Sequence, residues 1–267
     1  STGNIDVHLA AHPVPDENSV EGAKALLSLA SKVAPSENAI FLISGGGSAL
    51  ACAPPEGISL DEKLALHKFL LRSGASIEEM NTVRKHVSVI KGGRLAAASR
   101  GINTSLVISD VVGDDPAFIA SGLTVQDTTR PEDAIAILDR YGFSEASSIR
   151  DHLNQALPLP KVSGDYTLVA NAQSAIDAAV KKAKAAGWDT EIISYTERGE
   201  AQTVAKRHAK IALEYKKKGK PILLFSGGEL TVTLGDSEGE GGPNQEYLMA
   251  LANALDGEPG ISALAAD

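Results

Sequence analysis

The chain is short of cysteine, of aromatics and of positive charge. Cys52 is the single cysteine in 267 residues, so no intramolecular disulfide framework and no four-cysteine metal site can form. Aromatic residues make up 4%, and 25 Lys and Arg stand against 34 Asp and Glu, a net charge of −9. No basic stripe with interleaved aromatics is present and a phosphate backbone would be repelled, so nucleic acid is excluded as a partner. Apolar runs fall far short of the roughly 20 residues of a membrane helix. The start, Ser1-Thr2-Gly3-Asn4, lacks a basic and then apolar leader. A soluble, cytoplasmic chain without membrane contact is expected.

What is present is a chain 43% hydrophobic, with 25 Gly and 12 Pro, long enough for one large or two modest domains. Short apolar runs ending in Gly, Asp or Asn alternate with long amphipathic stretches. That alternation predicts an α/β fold, a mostly parallel Rossmann-like sheet flanked by helices. Strands are predicted at Ala39 to Ile43, Ser105 to Ser109, Tyr166 to Ala170, Thr190 to Ser194, Ile222 to Phe225, Leu230 to Leu234 and Ile261 to Ala265. Ser59 with Glu62, and Ser76 with Glu79, have the spacing of capping boxes and start two helices. Two prolines and a glycine in the segment from Leu157 to Gly164 mark a hinge. The boundary is placed near residue 160, with domains at 1–160 and 161–267, the second a smaller α/β domain.

Four segments carry polar chemistry. Ser44-Gly45-Gly46-Gly47-Ser48 leaves a strand at its carboxyl end, where open α/β sheets bind ligands, and bare amides there suit a phosphate. The alternative is a tight turn that needs positive φ. No Lys follows as in a Walker loop, and Leu50 stands where the dinucleotide fingerprint needs its third glycine. In Asn81-Thr82-Val83-Arg84-Lys85-His86 and Lys91-Gly92-Gly93-Arg94, Lys91 and Arg94 crowd the start of a helix, which an anion would relieve, unless both reach out to solvent. Lys91, a flexible ammonium, is the preferred phosphate contact.

Ser109-Asp110-Val111-Val112-Gly113-Asp114-Asp115-Pro116 sets three carboxylates at a strand end, suited to Mg2+ or to activating a hydroxyl. Asp115 reads equally well as a cap before Pro116, which leaves Asp110 and Asp114. Ser226-Gly227-Gly228-Glu229 echoes the first glycine loop, and Gly239 to Glu246 comes after it, with Pro243 opening a helix and Asn244 facing a ligand. No Gly-x-Ser-x-Gly elbow is present, and Cys52 is expected to be packed and inert.

Together with His12-Pro13-Val14-Pro15-Asp16 and Gly241-Gly242-Pro243-Asn244-Gln245-Glu246, these segments resemble the glycerate 2-kinase family with its C-terminal MOFRL domain, in the same order along nearly the whole chain. The resemblance implies ATP-dependent, Mg2+-assisted phosphorylation of D-glycerate to 2-phosphoglycerate, with two α/β domains flanking the cleft. Lys91 and Asp110 are expected to be catalytic. Gly45, Gly46, Gly47, Ser48, Arg84, Glu229 and Asn244 would hold nucleotide and phosphates, Arg94 the substrate carboxylate, and Asp110 with Asp114 the metal. Two departures stand out: Ala11 replaces the usual Gly before His-Pro, and Pro243 stands where many members have Arg. Members also extend further at both ends, so the first domain is expected to be incomplete at its start and the second at its end. Other readings are a nicotinamide-dependent hydroxypyruvate reductase, against which the failed dinucleotide fingerprint counts, and a noncatalytic nucleotide-binding fragment. A homo-oligomer is compatible with all three.

Overall fold

The computed structural model describes residues 3–233 and 241–266 and divides the chain into two compact units, Ser1–Val169 and Ala170–Asp267. The first unit runs α1 (Glu17–Ser31), β1 (Asn38–Ile43), α2 (Gly47–Leu50), α3 (Leu60–Ser73), α4 (Ile77–His86), α5 (Arg94–Ala98), β2 (Ile102–Ile108), a 3-10 turn Ile119–Ser121, α6 (Pro131–Tyr141), α7 (Ser147–Gln155) and β3 (Asp165–Ala170). The division falls past the 157–164 segment because the strand after it joins the first sheet, whose order is β1-β2-β3.

Both capping boxes form. The side chains of Ser59 and Ser76 accept from the amides of Glu62 and Glu79, whose carboxylates accept in return from the cap amides. β1 and β2 pair in parallel from Asn38↔Ile102 to Ile43↔Val107. Strand alternation then sends Phe41 and Ile43 onto a core with Val20, Ala23, Ile90 and Leu95, while Ile40 and Leu42 stay exposed on the other face. A second core joins α3, α4, α6 and α7 through Leu66, Leu70, Val83, Leu138, Ile149 and Leu153. Full burial of such side chains contributes about 2 kcal/mol each. This core fixes α4, and α4 leads directly into the Lys91 segment.

The second unit runs α8 (Ala172–Ala185), β4 (Asp189–Glu200), α9 (Ala201–Lys217), β5 (Ile222–Thr231) and α10 (Pro243–Leu255). β4 and β5 are parallel, and a small core of Ala205, Ala209 and Leu251 joins α9 to α10. Two strand expectations need correction. Ile222 to Phe225 and Leu230 onward form one strand, with Leu234 outside the described residues, because Ser226 and Gly228 both pair with β4 across a register irregularity and carry the strand through the glycines. The run Ile261 to Ala265 is apolar like a strand, but no described strand pairs with it and it is irregular.

Candidate functional site

In the first unit the triple glycine is explained residue by residue. Gly46 sits at φ 76°, a left-handed conformation that caps α2, and a Cβ there would lie 3.3 Å from the His12 ring. At Gly47 a Cβ would stand 2.9 Å from the Ala120 Cβ. At Gly45 it would collide with the Asp110 carboxylate. The loop is therefore a tight turn and also a place of close approach, with the exposed carboxylate at the end of β2 pressed against its backbone.

Ser48 is the hub. Lys91 is 1% exposed, and its Nζ donates to the Ser48 carbonyl at 2.6 Å and to Ser48 Oγ at 2.9 Å. Ser48 Oγ lies 2.8 Å from Ser121 Oγ, which donates to Asn81 Oδ1 at 3.0 Å. Ser121 follows Ala120, and both hold positive φ, 57° and 49°, a strained pair that places the buried Ser121 hydroxyl between α2 and α4. Burial pushes the Lys91 amine down to about 7, with Lys63 and Arg84 adding to the effect and Cys52 opposing it. Lys63, also buried, donates to the Val87 carbonyl and is pushed down to about 8 by burial.

The remaining cations are spoken for. Arg84 Nη2 lies 2.8 Å from His67 Nδ1, and burial with Arg84 beside it takes His67 down to about 4, so the imidazole is a neutral acceptor. Lys85 is paired with Asp127, both side chains nearly inaccessible. Arg94 Nη1 donates to the carbonyls of Lys85 at 2.7 Å and Lys91 at 3.1 Å, and the guanidinium borders a cavity of about 580 Å3 with Glu56, Asp151 and His152. These hydrogen bonds tie it to backbone carbonyls and not to the Ser48 loop.

Asp114 occupies a left-handed turn at φ 55°, and the Asp115 carboxylate accepts from the Ala117 amide at 2.8 Å, closing a turn rather than capping a helix that starts at Pro116, because the next helical segment begins only at Ile119. Among the described residues no three His, Cys, Asp or Glu side chains converge as a metal centre. Mg2+ keeps several waters and takes most of its other oxygens from substrate phosphates, so it needs few protein carboxylates.

In the second unit the echo of the loop does not form a loop. Ser226, Gly228 and Glu229 pair with Ser194, Glu197 and Arg198 of β4, so that backbone is strand rather than anion cradle. Asn244 lies in the first turn of α10, after Pro243 at its first position. Gly239 and Glu240, part of the glycine-rich segment before it, lie outside the described residues. Beside α10, the buried His208 sets Nδ1 2.9 Å from the Tyr247 hydroxyl, joining α9 to α10, while its Nε2, 3.4 Å from Glu197 of β4, makes no hydrogen bond.

Sequence reasoning missed Ser121 and gave Asn81 no role of its own. Asn81 carried a signal, a polar residue between Met80 and Val83 on the buried face of α4. Ser121 carried none.

A profile for a domain of unknown function, DUF4147, matches residues 1–154, and the MOFRL family profile matches residues 222–267. Among the chain's relatives, a glycerate 2-kinase of Pyrococcus horikoshii is 41% identical over 94% of this chain and 60% of its own length. The chain belongs to the glycerate 2-kinase family. A D-glycerate 2-kinase of Thermotoga maritima is 39% identical over 98% and 64%. The crystal structure of the Thermotoga maritima glycerate kinase superposes with a TM-score of 0.82 at 38% identity, covering 96% of this chain and 63% of that one. An Agrobacterium vitis protein named as a hydroxypyruvate reductase is 45% identical over 99% of this chain and 63% of its own. The chain thus spans 60–64% of the length of these relatives. No helix among the described residues is long and apolar enough to cross a membrane.

Proposed function

We propose that the chain carries part of the machinery that transfers the γ-phosphoryl group of ATP to the 2-hydroxyl of D-glycerate. The observation that supports this most directly is Ser48, held by a buried lysine in a glycine loop with the Asp110 carboxylate against it. Phosphoryl transfer needs little covalent help beyond positioning and charge neutralisation, and this arrangement offers both. The glycerate 2-kinase names of two relatives support this choice of substrate and position of transfer.

In this reading Gly45, Gly46, Gly47 and Ser48 receive phosphate oxygens, and Asp110 accepts the proton of the attacking hydroxyl. Lys91 works from behind the loop through Ser48, since its amine is enclosed there. Arg84 and Arg94 contribute positive potential, and Arg94 remains the candidate for the substrate carboxylate. Within the second unit, Glu229 and Asn244 are the residues assigned to nucleotide contact. Mg2+ held by Asp110 and Asp114 would supply charge for the phosphates.

The test is coupled ADP release with ATP, Mg2+ and D-glycerate, with the product read by phosphorus resonance. Product phosphorylated at the 3-position, or no glycerate-dependent ADP, overturns it. The hydroxypyruvate reductase name among the relatives favours a second reading, in which hydroxypyruvate consumes a reduced nicotinamide. Loss of absorbance at the reduced-nicotinamide band would establish that reading in place of the first.

A further inference from the structure

We infer that Ser48 is a nucleophile, activated by Lys91, and that it takes the phosphoryl group from the nucleotide before the acceptor does. The inference rests on the phosphotransferase reading only for the group transferred; the activation of the hydroxyl stands on geometry.

Three observations carry it. Lys91 Nζ is within hydrogen-bond distance of Ser48 Oγ, 2.9 Å, and of the carbonyl of the same residue, 2.6 Å. With one amine hydrogen committed to that carbonyl, a neutral amine still has its lone pair to accept the hydroxyl proton. The lysine is 1% exposed, whereas Ser48, in the loop that begins with the exposed Ser44 and Gly45, is only half-buried. A lysine placed to touch a bound phosphate would present its ammonium to solvent; this one presents it to a hydroxyl. Ser121 holds that oxygen from the other side at 2.8 Å and, its own hydrogen given to Asn81, accepts the Ser48 hydrogen at rest, so that hydrogen turns to the Lys91 lone pair for the transfer. A serine with a base on one hydrogen bond and an orienting group on another is the arrangement of an activated nucleophile, and lysine is a known base for it.

The charged and titratable groups around the amine are Lys63, Arg84 and Cys52. Two cations and burial favour the neutral amine, which supports its use as a base near neutral pH.

The step balances as a double displacement. Ser48 Oγ bonds to the γ-phosphorus, the bond from that phosphorus to the bridging oxygen breaks, ADP leaves with the electron pair, and the serine proton passes to Lys91 Nζ. The acceptor hydroxyl then attacks the phosphoserine, its proton passes to Asp110, and Ser48 regains its own from Lys91.

The experiment has two arms on the full chain. In the first, a fluorophosphonate probe is applied across pH 6 to 9, with sites read by mass spectrometry. Labelling at Ser48 that rises through about pH 7 and falls about a hundredfold in Lys91→Met supports the activated hydroxyl. Absence of labelling at Ser48, or equal labelling in Lys91→Met, overturns it whatever the turnover. In the second arm, ATP labelled in its γ-phosphate is supplied without glycerate. Phosphate on Ser48 that glycerate discharges, and net retention of configuration at phosphorus, are expected. Turnover with inversion and no label removes the phosphoserine while leaving the kinase reading intact. Loss of turnover with retained fluorophosphonate labelling removes the kinase reading and the phosphoryl transfer assigned to Ser48, and leaves only the activated hydroxyl. Ser48→Ala and Lys91→Arg, checked by circular dichroism, separate loss of chemistry from loss of fold.

Discussion

The chain carries Ser-Gly-Gly twice after an apolar strand, at Ser44 and at Ser226, and folds the two differently. The first turns through a left-handed Gly46 into α2. The second continues as β5, with Gly228 at φ 146° lying directly on the Glu197 backbone. Glycine permits both outcomes, so the decision falls to its neighbours. After the first come Gly47, Ser48, Ala49 and Leu50, which take one helical turn fastened from behind by Lys91. After the second come Glu229, Leu230 and Thr231, which extend and keep pairing with β4. A glycine run identifies a place where backbone comes close to something; whether that is a ligand or another strand depends on the residues that come next in the chain.

The largest expected effect is at the first copy. Lys91→Met removes the amine on Ser48 while keeping much of the volume. Turnover should fall about a hundredfold to a thousandfold, as when one preorganised donor is removed from a reaction site, with the fold retained by circular dichroism. Near-normal turnover would show that the lysine is there for packing alone and that the two copies differ in shape but not in chemistry.

Next is Gly228→Ala. The new methyl would meet the Glu197 backbone, which cannot swing aside as a side-chain tip can, at a φ that L residues rarely adopt. A cost of about 3 kcal/mol is expected, seen as an earlier calorimetric transition. Gly45→Ala makes the converse case. Its methyl would meet only the end of the Asp110 side chain, so stability should fall by less than about 1 kcal/mol while turnover falls because the carboxylate is displaced. Equal stability losses at the two glycines would erase the distinction drawn between them.

Much of this was legible in advance. Local chemistry gave the capping boxes at Ser59 and Ser76, the strand starts near Ala39 and Tyr166, and Pro243 opening α10, because caps, alternation and proline act within a few residues. What could not be read depends on distant partners. The merging of two predicted strands into β5 needed the register with β4, and the Ser121 contact needed a strained turn 73 residues from Ser48. The orientation of Lys91, toward Ser48 rather than toward the opening, is likewise a tertiary fact. Its place in the site was visible from glycines and cations in one segment, but its partner was not.

A last effect isolates the amine itself. Lys91 titrates near 10.5 when unfolded and about 7 when folded. Below pH 7 both states carry the proton, and the native state bears the cost of an enclosed cation. Between 7 and 10.5 the unfolded chain holds the proton and the native one does not, so stability contributed by this residue rises with pH. From pH 7 to 9 the gain is about 2 kcal/mol. Lys63, taken down to about 8, adds in the same direction, so the informative quantity is the difference between the parent chain and Lys91→Met measured by denaturant titration at both pH values. That difference should shift in favour of the parent as pH rises. A constant difference would mean that Lys91 stays charged against Ser48 throughout, a fixed ion at the first glycine turn that the second, strand-forming copy lacks.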